Sequence, residues 1–149
     1  MNFIQCIGAS LLLTAAGVVQ AQPCEVSIQA NEQMQFSSKE LTVPASCADV
    51  ELTLKNTGSQ PVNVMGHDWV LARDTDVPGL VEAGQAAGAA NGYVPQNDKR
   101  VIAATKLVGP GESASVTFKT SALQPHTHYD FFCTFPGHAA TMRGHFVLK

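Results

Sequence analysis

Ten consecutive residues, Cys133-Thr134-Phe135-Pro136-Gly137-His138-Ala139-Ala140-Thr141-Met142, carry a thiol, an imidazole and a thioether. Thiolate and thioether are soft donors suited to Cu(I), and imidazole suits copper in both oxidation states. Two imidazoles and a thiolate with a distant axial Met form the donor set of a blue-copper electron-transfer centre. The segment supplies all but one imidazole, and His67 in Val64-Met65-Gly66-His67-Asp68-Trp69 is the candidate for the missing one. Taken singly, each residue has a commoner role. Cys133 and Met142 would fill a core, His138 would be a solvated turn residue and His67 a hydrogen-bonded core histidine. Their conjunction with an unpaired, exported cysteine is what points to a metal.

That cysteine follows from the count. Ile7 to Val19 is an apolar run of signal-peptide length, too short for a membrane span, and Val19-Gln20-Ala21 offers small residues for cleavage. Only the terminal amine supplies positive charge before the run. Residues 1–21 are thus expected to be removed, leaving 22–149 as one domain. Cys6 leaves with them, too far from the cleavage point to serve as a lipid anchor. Three cysteines remain, an odd number, so one thiol in an exported chain must be free or liganded. Cys24 and Cys47, each beside an expected strand, are the candidate bridge, which would contribute about 3 kcal/mol in the chain-entropy model. A different pairing would consume Cys133 and end the copper reading.

The elements that must hold these side chains read as short strands. Val26/Ile28, Leu41/Val43, Val50/Leu52/Leu54, Val116/Phe118, Tyr129/Phe131/Cys133 and Gly144/Phe146/Leu148 each alternate with neighbours of the other face. Val62 and Val64 lead into Met65-Gly66-His67, and Val101-Ile102 precedes a Gly109-Pro110-Gly111 turn. Such spacing predicts an all-β sandwich or barrel. The exception is Val77 to Ala87, Ala-rich with a Pro suited to a first turn, which predicts a short helical flap within residues 76–92. Cys133 ends one strand, Phe135-Pro136-Gly137 reverses the chain, and Met142 precedes the last strand. His126-Thr127-His128 could place two imidazoles on one strand face for a surface metal, but a solvated strand edge is the commoner role, and the same holds for His145.

Composition removes other classes. A net charge of −3 with scattered Lys and Arg does not suit nucleic acid, and no second apolar run is long enough to cross a membrane. A Cys133–His138 nucleophile pair would lack an orienting Asn or Asp and an oxyanion hole. Five histidines do not readily supply the extra copper sites of a nitrite reductase or oxidase, so no enzyme is expected. Zinc would fit two His and a Cys, but thioether is a poor zinc ligand. The main alternative is a copper carrier or storage protein, whose Met-rich or His-rich tracts the chain lacks.

Met65-Gly66-His67 with Trp69-Val70-Leu71, and Phe131-Phe132-Cys133-Thr134-Phe135-Pro136-Gly137-His138, resemble the azurin family of cupredoxins. The resemblance runs from Gln33-Met34-Gln35-Phe36 to Leu148-Lys149 and includes the placing of Cys24 and Cys47. It implies an eight-stranded Greek-key sandwich with a helical flap, one copper ion, and a single chain carrying electrons in the bacterial periplasm between soluble or membrane-associated redox proteins. It implies ligation by His67, Cys133 and His138, with Met142 axial and the Gly66 carbonyl opposite. It also implies backbone N–H groups of Asp68 and Phe135 directed at the sulfur. Partners would touch transiently an apolar patch of Met34, Met65, Phe135, Pro136 and Ala140 around His138. Gln60 and Gln85, at positions apolar in some relatives, imply a smaller or wetter patch. Two departures matter: Asp68 replaces the usual Asn after the first ligand His, which implies a pH-dependent potential, and Asn56 stands where many relatives have a pH-switching His.

Overall fold

Alternation of side chains builds the first sheet. In β4 (Asp49–Asn56), Val50, Leu52, Leu54 and Asn56 are buried while the residues between them face outward. β1 (Cys24–Asn31) buries Ile28 and Ala30, and β7 (Ser113–Lys119) buries Ala114 and Phe118. This one-sided pattern is that of a sheet with a wet outer face. β1 runs parallel to β4 from Cys24↔Val50 to Ala30↔Asn56, and β4 pairs antiparallel with β7. The two-residue β2 (Gln35–Phe36) completes the order β2-β1-β4-β7. The computed structural model describes residues 24–149, so the expected signal segment 1–21, with Cys6, lies outside the described residues.

The second sheet is buried on both faces where it carries the site. Its order is β3 (Glu40–Val43), β9 (Arg143–Leu148), β8 (Tyr129–Phe132), β5 (Val70–Arg73), β6 (Ala103–Ala104). All four residues of β8 are buried, because helix α2 (Val77–Ala87) lies on the outer face. There Val77 and Leu80 pack against Val70, Ala72 and Phe132. The expected flap is this helix, with Pro78 in its first turn and its end at Gly88. Apolar packing outweighs the low propensity of its glycines. The inner faces of the two sheets enclose Trp69, which stacks on Phe118 and Phe131 at 6.1 and 6.0 Å.

Two local expectations change. Val62 and Val64 do not form a strand; they lie on a single helical turn, α1 (Val62–Met65), and are 41% and 53% exposed. With no strand beside it, the segment closes on itself through Val64 and Met65 N–H donation to the Pro61 carbonyl. Among the described residues the eight strands implied by the resemblance resolve into nine segments, two of only two residues. Cys24 and Cys47 are disulfide-bonded, leaving Cys133 as the free, buried thiol among the described residues. Asn56 is buried: its side-chain amide donates to the Val108 carbonyl and its side-chain oxygen accepts from Gly58 N–H.

Candidate metal centre

Cys133 lies one residue beyond β8, and its N–H donates to the Met142 carbonyl at 3.1 Å, so the pairing of β8 with β9 fixes the neck of the loop. Above the neck the chain turns through Gly137 at φ 83, a left-handed value that favours glycine. His138 N–H donates to the Phe135 carbonyl, and Met142 N–H returns to the His138 carbonyl at 2.8 Å. Lys39 braces the underside, its ammonium donating to the Thr141 carbonyl.

His67 reaches the same point from another loop. It exchanges backbone hydrogen bonds with Val108, whose carbonyl also accepts from Asn56. Gly66 before it is buried, and a Cβ there would stand 2.5 Å from the Val62 carbonyl oxygen, so only glycine allows the turn of α1 to approach so closely. The His67 and His138 ring centroids lie 5.1 Å apart, and Cys133 Sγ is 3.6 Å from His138 Nδ1. One donor atom from each of His67, Cys133 and His138 falls within 4.8 Å of the others. Both ring nitrogens of His67 are buried with no hydrogen-bond partner. Buried polar atoms are rarely left so. Two imidazoles and a sulfur converging on a point where ring nitrogens lack partners are what a soft or borderline cation would satisfy, and this donor set fits copper.

Burial sets the protonation states. It lowers the His67 pKa to about 4, helped by the nearby His138. His138 is lowered by burial as well. The Cys133 thiol is pushed well up, first by burial and then by the Asp68 carboxylate, while the backbone N–H groups of Asp68 and Phe135 pull it down. Asp68 is raised to about 6 by burial against two hydrogen bonds from Thr134. Those bonds, from Thr134 N–H at 2.7 Å and from its hydroxyl, tie the His67 loop to the Cys133 loop.

The other expected positions divide by exposure. Met142 and Gly66 are buried, and Met65 is half-buried. Met34, Pro136 and Ala140 are exposed around His138, whose own ring is almost wholly covered. Phe135 adds little surface, being 8% exposed between Tyr93 and His138 at centroid distances of 5.3 and 4.6 Å. Gln60 and Gln85 are exposed. Sequence reading missed Val62 and Val64 as apolar surface beside Met65, because their alternation reads as strand. It also missed Thr134 as the partner of Asp68, although adjacency to Cys133 was a signal.

A sequence profile described as copper binding proteins, plastocyanin/azurin family, matches residues 22–149. The azurin of Pseudomonas aeruginosa is 47% identical over 140 residues, 94% of this chain and 95% of the relative. The azurin of Bordetella pertussis is 45% identical over 143 residues, covering 95% of each. A solved azurin (Az-iso2) of the obligate methylotroph Methylomonas sp. strain J superposes with a TM-score of 0.82 at 43% identity, over 85% of this chain and 98% of that one.

Proposed function

Because the chain belongs to the plastocyanin/azurin family of copper-binding proteins, a family of blue-copper electron carriers rather than enzymes, we propose that His67, Cys133 and His138 would hold its copper, with Met142 and the Gly66 carbonyl as weaker contacts. The observation that carries this reading is the buried convergence of two imidazoles and a free thiol, with both His67 nitrogens unpartnered. Bound copper supplies a one-electron Cu(I)/Cu(II) couple. The protein's own part is to hold the donors rigidly, through the Cys133–Met142 and His67–Val108 backbone bonds and the Asp68–Thr134 tie. The N–H groups of Asp68 and Phe135 favour negative charge on the sulfur. We read residues 1–21 as an export signal, 22–149 as the mature domain, the periplasm as its compartment and the monomer as its form. Among the described residues no helix is long and apolar enough to cross a membrane. Redox partners dock briefly on Met34, Met65, Pro136 and Ala140 around His138, a patch that Val62 and Val64 extend; a small contact suits transient encounters.

Voltammetry of the copper-loaded protein tests the function and the role of Asp68 together. A reversible one-electron wave is expected; its absence would favour a copper carrier or storage protein. Ionised Asp68 favours Cu(II), so the potential should fall as pH rises through the range where this carboxyl titrates, and Asp68→Asn should flatten the slope. A wild-type potential independent of pH would remove Asp68 from the argument.

Copper uptake should also move a countable proton. At pH 8 the two imidazoles are neutral and Asp68 is ionised, but the Cys133 thiol is protonated. Metal thiolate bonding requires the deprotonated form. Calorimetry in two buffers of different ionisation enthalpy should therefore give one proton released per Cu(II). Zero would remove Cys133 from the ligand set, and two would mean that a histidine starts protonated.

A further inference from the structure

A second group of imidazole and carboxylate side chains lies at the end of the β8–β9 pair remote from Cys133. The buried Asp130 carboxylate accepts from Arg143 Nε at 2.5 Å and from His145 Nδ1 at 2.7 Å. A carboxylate only accepts, so Nδ1 carries the hydrogen, and the lone pair of Nε2 faces away on a side chain that is 71% exposed. A carboxylate behind one ring nitrogen is the arrangement that orients a metal-binding histidine and raises the basicity of its other nitrogen. Register supplies the neighbours. Glu40 pairs with His145 across β3 and β9, and Asp130 pairs with His145 across β8 and β9, so all three share one outer face. His126 and His128, in the loop entering β8, line with Glu40 and His145 a single cavity of about 470 Å³. That loop is anchored where Gln124 N–H donates to Tyr129 Oη at 2.7 Å.

We propose that this corner is a second metal site, taking a divalent transition cation such as Zn²⁺ on His145 Nε2, His128, His126 and the Glu40 carboxylate. Three imidazoles and a carboxylate match the donor types and number of a zinc site. Their donor atoms are not yet gathered, since among the described residues only His67, Cys133 and His138 meet within 4.8 Å. Binding therefore draws exposed side chains together, at an entropic cost, and displaces Lys149 Nζ from its place 3.5 Å from Glu40. His128 precedes Cys133 by five residues along the strand, roughly 17 Å at strand rise, so the two sites are separate.

The experiment is a Zn²⁺ titration of the copper-loaded, reduced protein, followed by NMR of each imidazole. One equivalent should saturate and shift His126, His128 and His145 while His67 and His138 stay in place. His145→Gln should weaken binding at least tenfold, and Asp130→Asn by about tenfold or more, with the blue absorption of the oxidised protein unchanged. Should Asp130→Asn disturb the fold through Arg143, the exposed His128→Gln carries the same expectation of weakened binding. No saturable binding at millimolar Zn²⁺, shifts confined to His67 and His138, or affinity indifferent to His145→Gln would each overturn the proposal.

Discussion

Cys133→Ser is expected to abolish the intense blue absorption that Cu(II) gives the wild-type protein, while leaving the fold in place. The colour of such a centre is thiolate-to-copper charge transfer, and a serine oxygen is a hard donor that cannot supply it. Cys133 is the free thiol among the described residues, wholly buried and within 3.6 Å of His138 Nδ1, so no other sulfur of its kind can replace it. The two hydrogen bonds from Thr134 to Asp68, and that from Cys133 N–H to the Met142 carbonyl, do not involve the sulfur, and serine is close to cysteine in size. Circular dichroism should therefore match wild type. The wild-type band should bleach with reductant and return on oxidation. A mutant that keeps the band would remove Cys133 from the centre; a wild type without one would leave zinc or a Cu(I) carrier as the better reading.

What was legible in the sequence was what local rules decide. The alternation in residues 50–56 places Leu52 and Leu54 inward because a strand has a period of two, and the odd cysteine count isolates Cys133 before any coordinate is known. The meeting of Cys133 with His138 was legible because one short loop carries both. What failed was tertiary. Val62 and Val64 alternate like a strand, yet no sheet edge is available beside them, so they curl into α1 and become surface. The burial of Phe135 depends on Tyr93, 42 positions earlier in the chain, closing over it. His145 is solvated as expected, but its bond to Asp130 was not legible, because that partner is near only through strand register, which no local pattern displays.

Trp69 is where the core should be most sensitive. Its ring is fully buried between Phe118, Phe131 and Phe146, the last edge-on at 6.4 Å. Trp69→Ala removes that surface and leaves a cavity, an expected loss of about 3–5 kcal/mol. Against a total stability of roughly 5–15 kcal/mol, this could unfold much of the metal-free protein. The indole Nε1 complicates the sum, because it is buried without a hydrogen-bond partner, which itself costs about 1–3 kcal/mol. Trp69→Phe discards that orphan donor while keeping much of the ring, so its cost should stay below about 1.5 kcal/mol. Urea unfolding of the metal-free proteins decides this: equal losses for Ala and Phe would mean that Nε1 makes a bond worth keeping and that packing is the lesser effect. The metal adds a second comparison. Trp69 N–H donates to Thr105 Oγ1 whatever the side chain, so the backbone carrying His67 and Asp68 should stay in place without the indole. Copper stabilises the folded state by mass action according to its affinity alone. The gain in stability on copper binding should therefore be the same for Trp69→Ala as for wild type, provided free copper is equal. A smaller gain would mean that the indole holds the metal loops as well as the core.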